Sequence, residues 1–231
     1  MGRKIRIAVI DSGINAGLFD LNEYVIHSTG FYINSQGYIA ESNMLPVRNL
    51  HGTAVAMIIR HICSDVEFIS VNVLDENLST DGRVLAYALS QVFDYRPDII
   101  HMSLGTLKRR YIFPLKKIIK EAKKLNVLLV AAAENSGKTS YPAYLNGVIG
   151  VKSGFFENYK QYSYKKGFFL APDGTKGIAH IQEVPVMKNS RGTSMSAAYI
   201  SGHLAEILKK YKNFSANDAT RILINTLKQK E

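Results

Sequence analysis

The sequence predicts an α/β fold with three layers, in which helices flank both faces of a mostly parallel central sheet. Three observations predict it. Apolar runs of strand length alternate with amphipathic helical stretches along the 231 residues, which is the pattern of repeated β-α-β units. Residues 127–133, Val-Leu-Leu-Val-Ala-Ala-Ala, are almost continuously apolar, as a strand buried on both faces must be. Asp11, Ser103 and Asn135 each follow such a run closely, and open parallel sheets build their sites beyond the carboxyl ends of their strands.

In chain order, residues 5–10 (Ile-Arg-Ile-Ala-Val-Ile) read as the first strand. The start, Met1-Gly2-Arg3-Lys4, is basic, but the apolar run after it is too short for a secretory signal. Residues 51–62 read as a helix, 66–74 as a strand, 82–95 as an amphipathic helix and 98–103 as a short strand. Over 114–125, Leu115, Ile118, Ile119, Ala122 and Leu125 recur at helical spacing beside Lys116, Lys117, Lys120, Lys123 and Lys124. That spacing gives one buried face and one solvated, lysine-rich face. The central strand 127–133 follows, then a short strand over 147–152, a long helix over 193–211 and a last helix over 215–227. Ser215 is the expected N-cap of that helix, with Asp218 in its first turn. Segments 28–49 and 155–191 lack clear periodicity and are expected to be surface loops of one domain spanning 1–231.

Composition narrows the function classes. With 46% hydrophobic and 21% charged residues, the chain is of ordinary globular type. It has no run near the roughly 18 apolar residues that span a bilayer. Together with the missing signal, this gives an expectation of a cytoplasmic protein without membrane insertion. Cys63 is the sole cysteine, so no intrachain disulfide can form, and its apolar surroundings predict a small buried hydrophobe. The net charge is +10, but the lysines are dispersed and no basic motif is interleaved with aromatics, so no nucleic-acid partner is expected.

Peptide cleavage by a serine needs a base for the hydroxyl, a carboxylate to orient that base and donors for the oxyanion. Asp11 precedes Ser12-Gly13 at the end of the first strand. His51 precedes Gly52-Thr53 and opens an apolar helix. Ser194 lies in Gly192-Thr193-Ser194-Met195-Ser196-Ala197-Ala198, where small residues permit close approach and a helix amino end favours negative charge. Taken singly, each has a plain structural role available: a turn aspartate, a structural histidine, a packed helix start. Their ordered combination is far more specific.

The combination resembles the subtilisin-like serine proteases (subtilases, peptidase S8), whose chain order is Asp, His, Ser. Asp11-Ser12-Gly13-Ile14, His51-Gly52-Thr53 and Gly192-Thr193-Ser194-Met195 are similar to the family's three motifs, and the resemblance runs from Ile5 to Leu227. It implies Asp11, His51 and Ser194 as the triad. It implies Asn135, at the end of Ala131-Ala132-Ala133-Glu134-Asn135, as an oxyanion donor beside the Ser194 N–H. It implies Ser103, Leu104 and Gly105 as a substrate-pairing strand and one wall of the S1 pocket, with Ala132, Ala133 and Glu134 opposite and Ser140 near the base. Residues 78–82, with Thr80 and Gly82, fall where the family has a second substrate-pairing strand. The implied substrate is a peptide or protein bound as an extended strand.

The sequence also departs from the family. Ala54 and Met57 replace a frequent second His and Gly, and Ala198 and Tyr199 replace a frequent Pro and His; changes of packing are expected there. Glu134 stands where Gly is common, and either faces solvent or lines S1 and favours a basic P1 residue. Residues 62–66 run straight into a strand where many members carry a calcium loop. Asp20 matches one calcium ligand, yet no metal is expected. The usual pro-segment is not present in this chain. The resulting expectation is a cofactor-free endopeptidase working through an acyl-enzyme, with a narrow intracellular maturation role such as removing the leader of a peptide natural product. The alternative is a catalytically silent, protease-like binding or regulatory protein. An esterase of another fold would place Ser before Asp and His. The natural substrate, P1 preference and oligomeric state are left open by the sequence.

Overall fold

A computed structural model describes residues 3–211 and 215–228. Nine strands form one sheet in the order β3-β2-β4-β1-β5-β6-β7-β9-β8. The strands are β1 (Ile5–Asp11), β2 (Val25–Ile33), β3 (Ile39–Ser42), β4 (Val66–Asn72), β5 (Ile99–Met102), β6 (Leu128–Ala132), β7 (Ile149–Gly154), β8 (Ser163–Lys165) and β9 (Phe168–Pro172). Every ladder from β2 to β9 across the centre is parallel, and only the edge pairs β2–β3 and β8–β9 are antiparallel. The main helices are α1 (His51–Ile62), α2 (Gly82–Gln91) and α3 (Ile112–Lys124). After the short α4 (Ala179–Gln182) and α5 (Pro185–Lys188) come α6 (Thr193–Lys210) and α7 (Ala216–Lys228).

The three-layer α/β expectation is met, and the alternation of side chains along each strand shows why. Ile7 and Val9 of β1 and Leu128 and Val130 of β6 pack into one core with α1 and α6. Ala8 and Ile10, and Leu129 and Ala131, pack into the other core with α2 and α3. Successive residues of a strand serve opposite faces, so a strand buried on both sides must be apolar at every position. On α3, Leu115, Ile118 and Ala122 are buried, while the five lysines between and beyond them are exposed. Ser215 and Asp218 form a reciprocal cap: the Asp218 N–H donates to Ser215 Oγ at 3.2 Å, and the Ser215 N–H donates to the Asp218 carboxylate at 3.1 Å.

Three expectations need correction. Segment 28–49 is not all loop, because β2 and β3 build one edge of the sheet there. Segment 155–191 likewise contains β8 and β9, and β9 pairs in parallel with β7. Both are edge regions with one solvated side, and the β2–β4 register shifts between Val25 and His27, which breaks the alternation that would mark a strand. The 82–95 helix also ends early: α2 stops at Gln91 and a 3-10 turn, Val92–Tyr95, follows.

The topology places a crevice over β1. The chain passes from β4 on one side of β1 through α2 to β5 on the other side. Such a switch point opens a gap at the carboxyl ends of the strands. Above it lies α6, buried without a break from Thr193 to Ala205. Ser194, Ser196, Ala197, Ala198 and Ser201 let it sit close to the sheet.

Candidate active site

Asp11 ends β1. It lies two residues beyond Val9 on the face that meets α1 and α6, so its carboxylate points into the helical layer rather than away from it. It is fully buried, and its Oδ1 and Oδ2 lie 2.8 and 3.0 Å from Nδ1 of His51. Oδ1 also accepts the Ser12 N–H at 2.7 Å. His51 is the first residue of α1, and its N–H donates to Asn49 Oδ1 at 2.9 Å. Ser12 Oγ donates to the Asn49 carbonyl at 2.8 Å and accepts the Gly52 N–H at 3.1 Å, which ties the end of β1 to the start of α1. Gly52 is required by space: a Cβ there would lie 2.5 Å from the Gly13 carbonyl oxygen and 3.1 Å from Asp11 Cβ.

Ser194 is the second residue of α6, where the N–H has no acceptor within the helix. Its Oγ donates to the Ser103 carbonyl at 3.0 Å. Asn135 lies against the same helix end. Its Oδ1 accepts from the Thr193 N–H at 3.0 Å. With the amide oxygen so engaged, Nδ2 is left as the donor. Gly192 precedes the helix at φ 121, and a Cβ on it would approach Asn135 Oδ1 to 3.0 Å, so this turn excludes larger residues. Thr193 Oγ1 further donates to the Ala133 carbonyl at 2.6 Å, which binds the end of β6 to the start of α6.

Burial by itself would raise the Asp11 value. The charge of His51, the hydrogen bonds from His51 and Ser103 and the Ser12 N–H outweigh it and hold the carboxyl below its ordinary range. Burial would likewise lower His51, but the charge and hydrogen bond of Asp11 raise it above its ordinary value. The two directions agree: each partner favours the charged form of the other.

The walls expected of the substrate crevice are partly assembled. Ser103, Leu104 and Gly105 leave β5 toward Thr106, which bridges Tyr141 through bonds of 2.7 and 2.8 Å. The Ser103 carbonyl accepts the Ser194 hydroxyl. Ala132 and Ala133 are buried at the end of β6, and the buried Ser140 Oγ accepts the Glu134 N–H at 3.0 Å. The Glu134 carboxylate turns to its own loop. It accepts from the Ser136 hydroxyl and N–H and from the Lys138 N–H, and these bonds, Ser136 first, hold it below the ordinary Glu value. Residues 78–82 do not form a strand. Leu78 is left-handed at φ 57, Asp81 caps α2 through the Arg83 N–H at 2.7 Å, and Gly82 is the first residue of that helix beneath the Tyr111 ring. Thr80 thus lies in the irregular segment before α2, and Gly82 is the first residue of that helix, where the helix was expected to begin.

The replacements around the motifs are packing changes. Ala54, Met57 and Ala198 are core residues, and the Tyr199 hydroxyl donates to the Gly174 carbonyl at 2.9 Å. The surroundings of Asp20 do not fit a calcium ion. Arg60 Nη1 donates to the Phe19 carbonyl at 2.6 Å, and Arg60, His61 and His180 line the cavity that Asp20 faces. A guanidinium and two imidazoles beside one carboxylate are a poor donor set for a hard cation. Cys63 is buried, and burial pushes its thiol up.

One buried polar group was not singled out from the sequence. His101, in β5, is fully buried between Ser201 Oγ, 2.9 Å from Nδ1, and Ser103 Oγ, 2.9 Å from Nε2. The signal was present, since a histidine inside Ile-Ile-His-Met is out of keeping with a strand buried on both faces.

The sequence profile of the subtilase family matches residues 2–231. The major intracellular serine protease of Bacillus subtilis (strain 168) is 30% identical over 236 residues, covering 93% of this chain and 71% of that protein. Subtilisin DY of Bacillus licheniformis is 25% identical, covering 97% of this chain and 84% of that protein. Among solved structures, Sphericase superposes with a TM-score of 0.72 at 23% identity, covering 97% of this chain and 83% of that one. A structure described as a lanthipeptide protease gives a TM-score of 0.69 at 23% identity, with 95% and 78% covered. The chain is a member of the subtilase family of serine proteases.

Proposed function

We propose that this subtilase is an endopeptidase in which Ser194 attacks the scissile carbonyl, His51 acts first as base and then as acid, and Asp11 orients and stabilises His51. The observation that carries the reading is the two-oxygen contact of Asp11 with His51 Nδ1 at 2.8 and 3.0 Å. It fixes the tautomer that leaves Nε2 free to take the serine proton. Asn135 Nδ2 and the Ser194 N–H are the oxyanion donors. No cofactor enters the reaction.

At rest the Ser194 hydroxyl donates to the Ser103 carbonyl. A substrate strand paired along the Ser103–Gly105 edge competes for that carbonyl with its own N–H. This frees Ser194 to turn to His51, and such tightening on binding is common at catalytic sites. A maturation role, such as cleaving the leader from a peptide natural product inside the cell, is the biological reading we favour. The intracellular relative and the lanthipeptide protease of the same fold support it.

Labelling with a fluorophosphonate tests the chemistry. Wild type should be labelled and Ser194→Ala should not. If neither is labelled, the site is immature, blocked or dead, and the reading as a silent, protease-like binding module gains weight. A panel of leader peptides beside unfolded casein tests the role, with one defined cut in a leader and little casein digestion expected.

A further inference from the structure

We propose that His101 is a positioning residue for the triad, holding the Ser103 hydroxyl on the Asp11 carboxylate so that Asp11 is fixed where it grips His51. The inference rests on the triad reading above.

The register of the sheet brings these groups together. Val9 of β1 lies beside His101 of β5, and Ile10 lies beside Met102. Continuing that register one step places Ser103 beside Asp11. Side chains two apart share a face, so Val9, Asp11, His101 and Ser103 all turn toward the layer that holds α6. There α6 presents Ser201 to the far side of the His101 ring.

The proton count then gives the chain a direction. Ser103 has one hydroxyl proton, and the serine lies near enough to Asp11 to favour its charged form; in the proposed arrangement that proton is directed at the Asp11 carboxylate. Ser103 Oγ is therefore the acceptor toward His101, and Nε2 carries the ring proton. Nδ1 is left as the acceptor for the Ser201 hydroxyl. The sequence of donors runs from Ser201 through His101 and Ser103 to Asp11, with every ring nitrogen satisfied. The charged or titratable groups acting on His101 are Asp11 on β1 and His51 on α1. From its β-neighbours it receives Val9 and Val130, and from α6 the uncharged Ser201.

A neutral ring is essential, since an imidazolium would sit beside His51, which must itself become charged during the reaction. Burial supplies this, pushing His101 down to about 4, with Asp11 opposing and His51 adding to the shift. The ring thus keeps one donor and one acceptor throughout the working range. An apolar residue in its place leaves Ser103 free to rotate off Asp11 and leaves Ser201 unpaired in the core.

The test compares wild type, His101→Gln, His101→Leu and Ser103→Ala on one chromogenic peptide across pH, with the melting temperature recorded for each. Gln keeps one donor and one acceptor on a side chain of similar reach. For His101→Leu we expect kcat to fall about 10-fold with KM little changed, the effect of one hydrogen bond to a charged group. We also expect the acid limb of kcat/KM to move to higher pH, because an Asp11 with one donor fewer holds the His51 proton more tightly. His101→Gln should restore both, and Ser103→Ala should reproduce both even if the Leu variant does not fold. A Leu or Ser103→Ala variant that is folded and keeps the wild-type kcat and acid limb overturns the proposal, as does a folded Gln variant no better than Leu. A wild type that takes no fluorophosphonate removes the triad reading and this proposal together; one that does, with unchanged variants, removes this proposal alone.

Discussion

At the scale of single residues, the Asp11–His51 pair sets the response to pH. A base must be neutral to accept a proton, and Asp11 raises the His51 value above the ordinary 6.5. Activity is therefore lost as pH falls through a midpoint higher than 6.5, and the acid limb of kcat/KM measures it. A midpoint at or below 6.5 would contradict the ion pair. Asp11→Asn should lower kcat about 10⁴-fold, since the wrong tautomer is then favoured. Asn135→Ala should lower kcat about 10²- to 10³-fold with little change in KM, the loss known for one oxyanion donor from a subtilisin. Asp11, His51, Ser194 and Asn135 could be proposed from the sequence because each sits in a short motif beside an element end. His101 stood out only as a polar residue in an apolar strand; its meeting with Ser201 and Ser103 could not be foreseen, because it depends on the alignment of β1 with β5 and on the path of α6 over both.

At the scale of elements, helix starts and loop contacts carry the testable energetics. Asp81 accepts the Arg83 N–H at 2.7 Å, and this bond, with that from the Arg83 side chain, takes its carboxyl down to about 2. Replacing it with Ala should cost about 1 kcal/mol in denaturant unfolding, the usual worth of an N-cap. Glu134 braces the 136–138 loop instead of projecting into the crevice, so Glu134→Gln should leave the ratio of cleavage after basic and apolar P1 residues unchanged. A peptide library reads that ratio, and a marked loss of basic preference would put the carboxylate in S1. The elements with a complete periodic pattern, β1, β6, α1 and α3, were legible within a residue or two. The edge strands β3 and β8 and their neighbours β2 and β9 were not. β3 and β8 are short, β2 is bulged, and β9 is a five-residue apolar run ending in Pro172; in each case pairing with a strand elsewhere in the chain settles the assignment.

At the scale of the whole molecule, stability comes from two cores on either side of the sheet. The Asp20 surroundings bring a guanidinium where a calcium site would need oxygens. Excess EDTA should therefore leave the melting temperature unchanged, as thermal unfolding followed by circular dichroism would show; a fall of several degrees would reveal a bound cation. The layered architecture was legible because a fully buried parallel sheet forces apolar runs on the sequence, whereas the order of its strands was not, since strand pairing is non-local.

The central position of α6 also orders events in time. The ribosome releases Asp11, His51 and Asn135 before Ser194, and the strands β1, β5 and β6 are made before the helix that must lie across them. On the proposed triad, the growing chain thus holds a base and an oxyanion donor long before it holds a nucleophile. Ser194 joins them only when α6 packs against the sheet and α1, through contacts distant in sequence. On that reading, hydrolysis waits for α6 to dock.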